Sequence, residues 1–268
     1  MPPVISQKLL VVLYKTAPAT SPTIQSIITY FSSIGGSHCA ECELILWDNS
    51  PVSHAEDVYA LRQTAPIRVS FVATLQNTSL SKIYNTVAGE LADEEYLTLL
   101  DQDSFLPAEY FIELRKAQLE CFPLILPKVE CGGVLVSPGT RFFCKGKLLK
   151  NIRPGLIPSK NLLAINSGMS ATGKVFKTIP YDERLMFYGT DTYFMKQYEK
   201  HFSHAYVISA TLNHSLAEND AETSVERKQQ IAQARHDAWE IVFSETFAER
   251  LFLLMYQRAL MLREWLRK

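Results

Sequence analysis

Short apolar strands that alternate with amphipathic helices are the feature that most limits how this chain can fold. The continuous apolar run at 8–14 is typical of a strand buried on both faces. Further strands are predicted at 43–47, 67–72 and 96–100. The first helix is expected to begin at Pro22 with Ser21 as its N-cap, and to end at Gly35 and Gly36. This alternation predicts a three-layer α/β domain with a mostly parallel sheet.

Polar groups follow three of these strands at the point where each strand ends. They are Lys15-Thr16, Asp48-Asn49 and Asp101-Gln102-Asp103. Because ligands bind beyond the carboxyl ends of the strands in parallel α/β sheets, these groups mark the expected functional site. Two carboxylates at the spacing of Asp101 and Asp103 suit Mg²⁺ or Mn²⁺ bound to substrate phosphates. The alternative is that one of them caps the following helix, where Asp is common.

The charge balance and the apolar segments argue against several classes of protein. The chain carries 27 Lys and Arg residues against 28 Asp and Glu residues, which argues against nucleic acid as its partner. No uninterrupted apolar run reaches the roughly 18 residues of a membrane span. The first residues do not have the pattern of a secretory signal. We therefore expect a cytoplasmic protein, either soluble or lying on the inner membrane surface.

Several short motifs occur in order along the first 215 residues. They are Tyr14-Lys15, Trp47-Asp48-Asn49-Ser50, Asn77 with Asn85, Leu99-Leu100-Asp101-Gln102-Asp103-Ser104, Ile165-Asn166-Ser167-Gly168-Met169, Tyr188-Gly189-Thr190-Asp191 and His214. Their order and spacing resemble the family 2 inverting glycosyltransferases of the GT-A fold. The L-D-Q-D-S form is similar to that of bacterial rhamnosyltransferases. Thr190 stands where the wider family has a Glu that rhamnosyltransferases often lack.

The resemblance implies a role for each of these residues. Asp191 would be the general base that removes the proton of the acceptor hydroxyl. The residues that would contact the nucleotide-sugar donor are Tyr14, Asp48, Asn77, Asn85, Asp101 and Gln102. The residues that would hold Mg²⁺ or Mn²⁺ are Asp103, Asp101 and His214, with Asp103 as the stronger ligand. Ser167 and Gly168 would contact the acceptor.

Most of these residues also have a structural alternative that the sequence leaves open. Asp191 would then be a surface carboxylate at the start of a helix, and Asp48 would only shape its turn. Asn77 and Asn85 would be cap and surface residues. His214 would be a structural histidine with satisfied hydrogen bonds.

The chain is predicted to divide into a GT-A domain at 1–216 and a C-terminal helical segment at 217–268. Residues 250–268 combine a broad apolar face with a cationic edge. This pattern favours contact with an anionic membrane surface, or packing on the domain or on a second subunit in a homodimer. Residues 141–160 are predicted to form a basic loop, which meets lipid phosphates or is simply solvated. The resemblance implies a saccharide acceptor linked to polyprenyl diphosphate, as in bacterial surface polysaccharide synthesis.

Three functions remain open at this stage. The first is a metal-dependent inverting glycosyltransferase that uses a dTDP- or UDP-linked sugar. The resemblance favours dTDP-L-rhamnose, and UDP-galactofuranose or UDP-galactose are the alternatives. The second is a nucleotidyltransferase, which normally has a Gly-rich loop after the first strand, but residues 15–19 contain no glycine. The third is a non-catalytic binding or scaffold protein, against which the intact Asp101, Asp103 and Asp191 argue.

Overall fold

Strands and helices alternate through the first half of the chain, as the apolar pattern predicts. The computed structural model describes residues 6–149, 152–214 and 225–265. Its strands are β1 (Gln7–Leu13), β2 (Cys42–Asp48), β3 (Arg68–Ala73), β4 (Tyr96–Asp101), β5 (Ser104–Phe105), β6 (Leu124–Cys131), β7 (Val134–Ser137), β8 (Gly139–Phe142), β9 (Lys145–Leu148), β10 (Gly155–Pro158), β11 (Leu162–Leu163), β12 (Ser170–Thr172) and β13 (His204–His214). Its helices are α1 (Pro22–Ile34), α2 (Ser37–Ala40), α3 (Ala55–Thr64), α4 (Leu80–Gly89), α5 (Ala108–Leu119), α6 (Gly173–Thr178), α7 (Thr190–His201), α8 (Val225–Val242) and α9 (Phe247–Trp265).

The main sheet places parallel strands side by side in the order β3-β2-β1-β4. It continues through β12, β6, β13 and β10, with β12 antiparallel to β4 and β13 parallel to β6. The register pairs Leu13 of β1 with Asp48 of β2, and Val12 of β1 with Asp101 of β4. The prediction that three strand ends meet at one edge of the sheet is therefore confirmed.

Helices cover both faces of this sheet. Leu9 and Val11 lie in a buried cluster with side chains of α1 and α5, whereas Leu10 lies in a second cluster with side chains of α4, α6 and α7. The alternation follows from the strand period of two, which sends successive side chains to opposite faces. Each fully buried side chain of this size contributes about 1.5–3 kcal/mol relative to an exposed one. The three-layer α/β prediction is confirmed.

The start of α1 lies where the sequence predicts it. The backbone N–H of Ile24 donates to Ser21 Oγ at 3.3 Å, so Ser21 is the N-cap, and Pro22 occupies the first helical position. Gly35 ends the helix with φ at +54°, in the left-handed region that glycine adopts without strain. These local signals fix the entry of the chain into the first helical layer.

Residues 141–160 are not the loop that the sequence predicts. β9 pairs antiparallel with β8, and β11 completes this small sheet on the other side of β8. β10 joins the main sheet through β13. The strands escaped prediction because they are short, and β9 is exposed along its whole length. Backbone pairing holds β9 in place, and an apolar run is not needed for it.

The C-terminal helices α8 and α9 pack on the rest of the chain. Ala238, Val242 and Phe243 form a buried cluster with Leu185 and with Leu253 of α9. No helix within the described residues has the length and apolar character that a membrane span requires.

Candidate active site

A cavity of about 620 Å³ lies at the carboxyl ends of β1 and β4. Its polar lining comes from the strand ends and the loops that follow them, namely Tyr14, Asn49, Asn77, Asp101, Gln102 and Asp103. Its apolar lining includes Val12, Leu80, Phe187 and Tyr188. The remaining lining belongs to α8, as Gln230, Ile231 and Ala234. Pockets for small ligands measure about 300–1,000 Å³, so the cavity has the volume of a ligand site.

The Asp101-Gln102-Asp103 turn is fixed from two sides. Ser21 Oγ, at the start of α1, donates to the carbonyl oxygen of Gln102 at 2.6 Å. On the other side, the backbone N–H of Tyr14 donates to Gln102 Oε1 at 2.8 Å. Gln102 therefore uses its side chain to join the ends of β1 and β4. Asp101 is half-buried and Asp103 is exposed, and both line the cavity.

The two carboxylates of this turn are oxygen ligands of the kind that Mg²⁺ and Mn²⁺ prefer. Within the described residues, no cluster of three His, Cys, Asp or Glu side chains forms a metal site. The backbone of His214 pairs with Ser104, the neighbour of Asp103, so β13 brings this position to the turn. The side chain of His214 lies outside the part of the chain that the structure describes. The residues present fit a cation that a substrate phosphate also ligates.

Asp48 is fully buried, and it is not among the residues that line the cavity. Its carboxylate accepts hydrogen bonds from the backbone N–H groups of Ser50 at 3.1 Å and His54 at 2.7 Å. Burial raises the pKa of Asp48, but the hydrogen bonds from Ser50 and His54 outweigh it and leave the pKa below its usual value. These contacts favour the turn-shaping alternative. The predicted contact with the donor stays a prediction.

Asn49, the next residue, organises the loop at the cavity rim. Its Nδ2 donates to Asn77 Oδ1 at 3.0 Å and to the carbonyl oxygen of Thr78 at 2.8 Å. Its Oδ1 accepts from the backbone N–H of Thr78 at 2.8 Å. Asn49 is buried and holds the exposed Asn77 beside the cavity. The sequence places Asn49 at the expected functional site but gives it no specific role.

Asn85, predicted to contact the donor, lies away from the cavity. Its Nδ2 donates to the carbonyl oxygen of Tyr181 at 2.9 Å, and its Oδ1 accepts from the Tyr181 backbone N–H at 2.8 Å. Asn85 thus satisfies both backbone groups of one residue. Its observed role is to hold the segment that leads toward Asp191.

Ser167 and Gly168, predicted to contact the acceptor, are both buried and do not line the cavity. The Oγ atoms of Ser167 and Ser104 lie 2.9 Å apart. The Gly168 N–H donates to the carbonyl oxygen of Leu99 at 2.8 Å, and the Tyr110 hydroxyl donates to the Gly168 carbonyl oxygen at 2.9 Å. Their contacts are those of a structural turn packed behind β4.

Asp191 lies in the first turn of α7, and its carboxylate accepts from the Thr192 backbone N–H at 2.6 Å. Burial raises the pKa of Asp191 and outweighs that hydrogen bond. The pKa of the Tyr84 phenol is also raised, first by burial and then by the negative charges of Asp101 and Asp191. Both carboxylates are therefore close enough to act on one buried phenol. Asp191 itself does not line the cavity, but Phe187 and Tyr188 just before it do.

The helix that carries Asp191 is held by the C-terminal helices. Lys196 of α7 is buried, and its Nζ donates to the Val242 carbonyl oxygen at 2.8 Å. The same Nζ lies 2.9 Å from the carboxylate of Glu245 and 2.8 Å from that of Glu249. This ion cluster fixes α7 against the turn between α8 and α9.

The arrangement of strands and helices is similar to that of several solved structures. The structure of S. aureus TarS 1–349 is similar with a TM-score of 0.55 and 13% identity, over 89% of this chain and 81% of that chain. The same TarS 1–349 in complex with UDP-GlcNAc gives 0.54 and 12%, over 90% of this chain and 71% of that chain. GalNAc-T7 with UDP, GalNAc and Mn²⁺ gives 0.58 and 10%, over 79% of this chain and 44% of that chain.

The chain has the GT-A fold. No protein-family model matches the sequence, and no curated protein matches it either. Within the GT-A fold, the cavity includes Gln230, Ile231 and Ala234 of α8, which the sequence did not suggest. These residues follow no motif, and only the packing of α8 on the domain brings them to the cavity.

Proposed function

We propose that this protein is an inverting glycosyltransferase that moves a sugar from a nucleotide-sugar donor to a hydroxyl group of an acceptor. One observation carries the proposal. Asp101 and Asp103 line a ligand-sized cavity at the carboxyl edge of a parallel sheet, and the charge of Asp191 reaches the same buried phenol as that of Asp101. This supports the proposal, because single-displacement sugar transfer needs a base and metal-binding carboxylates that face one pocket.

Asp191 acts as the general base in this proposal. It removes the proton of the acceptor hydroxyl while that oxygen attacks the anomeric carbon and the bond to the diphosphate breaks. A carboxylate base works best when its pKa is raised toward the working pH, and burial shifts the pKa of Asp191 in that direction. The inversion takes place in one displacement and needs no covalent intermediate.

The leaving diphosphate carries the negative charge that must be stabilised. Asp103 and Asp101 would hold Mg²⁺ or Mn²⁺ at the cavity, and the bound cation would supply charge neutralisation at the diphosphate. Gln102 and Ser21 keep the turn between these carboxylates in place. The Mn²⁺ bound in the GalNAc-T7 structure supports a divalent cation.

Two donors are candidates. The L-D-Q-D-S sequence around Asp101 and Asp103 supports dTDP-L-rhamnose. A UDP-sugar is the second candidate, favoured by the UDP and UDP-GlcNAc complexes of the similar TarS structures. A nucleotidyltransferase is disfavoured because the segment after β1 has no glycine to wrap a triphosphate.

The acceptor is a saccharide on a polyprenyl diphosphate at the inner membrane face, and α9 supplies the membrane contact. Leu251, Leu254 and Met255 of α9 are exposed, and so is Arg258. Phe252 of α9 stacks on Phe143 with ring centroids 4.6 Å apart, which places the exposed lysines of β9 near the same surface. Residues 266–268 of the predicted membrane segment lie outside the described residues. Sedimentation with phosphatidylglycerol vesicles but not phosphatidylcholine vesicles is expected, whereas a stable dimer without lipid binding would assign this face to a second subunit.

The donor site is tested by calorimetric titration with UDP and dTDP, with and without Mn²⁺ or Mg²⁺. We expect one nucleotide to bind in a cation-dependent manner, and Asp103→Ala to abolish the cation dependence. Asp57→Ala is the matched control, because Asp57 is an exposed carboxylate on α3, away from the cavity. If the wild-type protein binds no nucleotide with or without cation, the glycosyltransferase proposal is wrong and a scaffold function takes its place.

A further inference from the structure

One face of α8 forms part of the wall of the cavity. Gln230, Ile231 and Ala234 line it, and they lie within one turn of the helix. Phe187 and Tyr188 form the adjoining wall, since the guanidinium of Arg235 lies 5.4 Å from the Tyr188 ring centroid. Helix α8 is therefore a component of the site, and the cavity is incomplete without it.

The packing of α8 fixes its position relative to Asp191. Gly189, the N-cap of the helix that carries Asp191, has φ at +78° and lies directly against α8. A Cβ atom at Gly189 would come within 3.2 Å of Ala238 Cβ and 3.3 Å of Val242 Cγ2. A side chain at residue 189 would be too tight at these distances, so α8 packs directly on the backbone of Gly189. The cavity-lining face of α8 is therefore held in a defined place.

Gln230 differs from the rest of this wall. Ile231, Ala234, Phe187 and Tyr188 offer mainly apolar surface, whereas Gln230 offers an amide with two N–H donors and a carbonyl acceptor. The Gln230 amide has no hydrogen-bond partner among the residues that the structure describes. By contrast, the side-chain Nε2 of Gln233 on the same helix donates a hydrogen bond to Asp237 Oδ1 at 2.7 Å, at the protein surface.

We propose that Gln230 reads the hydroxyl groups of the transferred sugar and contributes to the choice of donor. This inference rests on the proposed glycosyltransferase function. A side-chain amide can donate to one sugar hydroxyl and accept from its neighbour, and the apolar wall beside it suits the C–H face of a sugar ring. The wall continues along the chain into Asp191, beside which the reacting carbon of the sugar must lie. The carboxylates of Asp101 and Asp103 lie instead near the diphosphate of the bound donor.

The experiment compares two adjacent glutamines. Gln229 and Gln230 are neighbours on α8 and both are exposed, but only Gln230 lines the cavity. Wild type, Gln230→Ala and Gln229→Ala are titrated by calorimetry with UDP and dTDP, and with UDP-galactose and dTDP-rhamnose, in the presence of Mn²⁺. We expect Gln230→Ala to weaken binding of the sugar nucleotide about fivefold, the effect of one lost hydrogen bond. Binding of the bare nucleoside diphosphate should not change, and Gln229→Ala should match the wild type with every ligand.

Ala234→Leu provides a second, independent variant. Its larger side chain reduces the space beside Gln230, so sugar-nucleotide binding should weaken while diphosphate binding persists. Thermal unfolding of all variants establishes that they are folded, which is expected because the replaced side chains are exposed.

The possible results separate the two proposals. If the wild type binds a sugar nucleotide and Gln230→Ala binds it equally well, Gln230 does not read the sugar, although the glycosyltransferase proposal stands. If Gln230→Ala weakens the sugar nucleotide and the bare diphosphate equally, Gln230 contacts the nucleotide and the inference is overturned. If the wild type binds no nucleotide at all, both proposals fail together.

Discussion

Replacing Gly168 with alanine separates a structural role of this residue from a role in acceptor binding. Gly168 has φ at +79°, in the region that an L side chain rarely adopts. A Cβ atom there would lie 2.4 Å from Leu212 Cδ1 and 2.8 Å from Pro127 Cγ. Leu212 is fully buried and cannot turn away freely, and the proline ring cannot rotate. The change therefore combines backbone strain with overpacking.

The magnitude follows from the two contributions. The left-handed conformation costs alanine about 1–2 kcal/mol. Overpacking of a filled core costs about 1–3 kcal/mol. Gly168→Ala should therefore lower the free energy of unfolding by about 2–5 kcal/mol, a large part of the total for a typical domain.

Gly133→Ala is the matched control for Gly168→Ala. Gly133 has φ at +77°, and a Cβ atom there would meet nothing within 4 Å. It should lose only the conformational contribution, about 1–2 kcal/mol. Urea unfolding of both variants measures the difference, which should be about 1–3 kcal/mol in favour of Gly133→Ala. Equal stabilities, together with a raised KM for the acceptor in Gly168→Ala, would falsify the structural assignment and support the predicted contact with the acceptor.

Three further predictions concern charged groups. Asp191→Asn should lower kcat at least about 100-fold while the fold stays unchanged. Because burial raises the Asp191 pKa, the kcat/KM of the wild type should fall on acidification at a higher pH than with an ordinary Asp as base. Full activity of the variant would remove Asp191 as the base. Lys196→Met should cost about 3 kcal/mol in urea unfolding, because it leaves the carboxylates of Glu245 and Glu249 without their buried cation. Burial raises the pKa of Glu245, but hydrogen bonds led by the one from Lys196 hold this pKa at about 2. The stability that Glu245 contributes is therefore present above its unfolded pKa of 4.5 and is lost as the pH falls toward 2. If Lys196→Met unfolds in acid like the wild type, Lys196 and Glu245 are not coupled in this way. Asp48→Asn should lower the free energy of unfolding by about 2 kcal/mol. The wild type should lose this contribution as the pH falls below the unfolded Asp pKa of 3.8, because the folded pKa of Asp48 is lower. Equal unfolding curves for variant and wild type at neutral pH would rule out the turn-shaping role.

The sequence predicted the parallel half of the sheet and much of the cavity. β1 and β4 are buried on both faces, so most of their residues are apolar and the strands can be recognised from the sequence. Parallel strands end at the same edge of the sheet, so the polar residues after them had to meet. Tyr14, Asn77, Asp101, Gln102 and Asp103 do line one cavity.

The rest depends on contacts between distant parts of the chain. Short exposed strands such as β9 carry no apolar pattern, so residues 141–160 looked like a loop. A polar residue near a strand end can serve the backbone or a ligand, and the sequence does not distinguish the two. Asn85 and Asp48 hydrogen-bond to the backbone of nearby turns, whereas Asp103 lines the cavity. The contribution of α8 requires the packing of Ala238 and Val242 on Gly189, which no local pattern encodes.

The ion cluster around Lys196 anchors the middle of α7, and Asp191 lies near the first residue of this helix. Lys196 is five residues beyond Asp191, which corresponds to about 7.5 Å along a helix axis. A tilt of about 10° about the Lys196 anchor would move Asp191 by about 1.3 Å. In the proposed reaction Asp191 is the base, and displacements of about 1 Å at a reacting group can cost about 100-fold in rate. Substitutions of Glu245 or Glu249, which touch no substrate, should therefore alter turnover through the angle of this one helix.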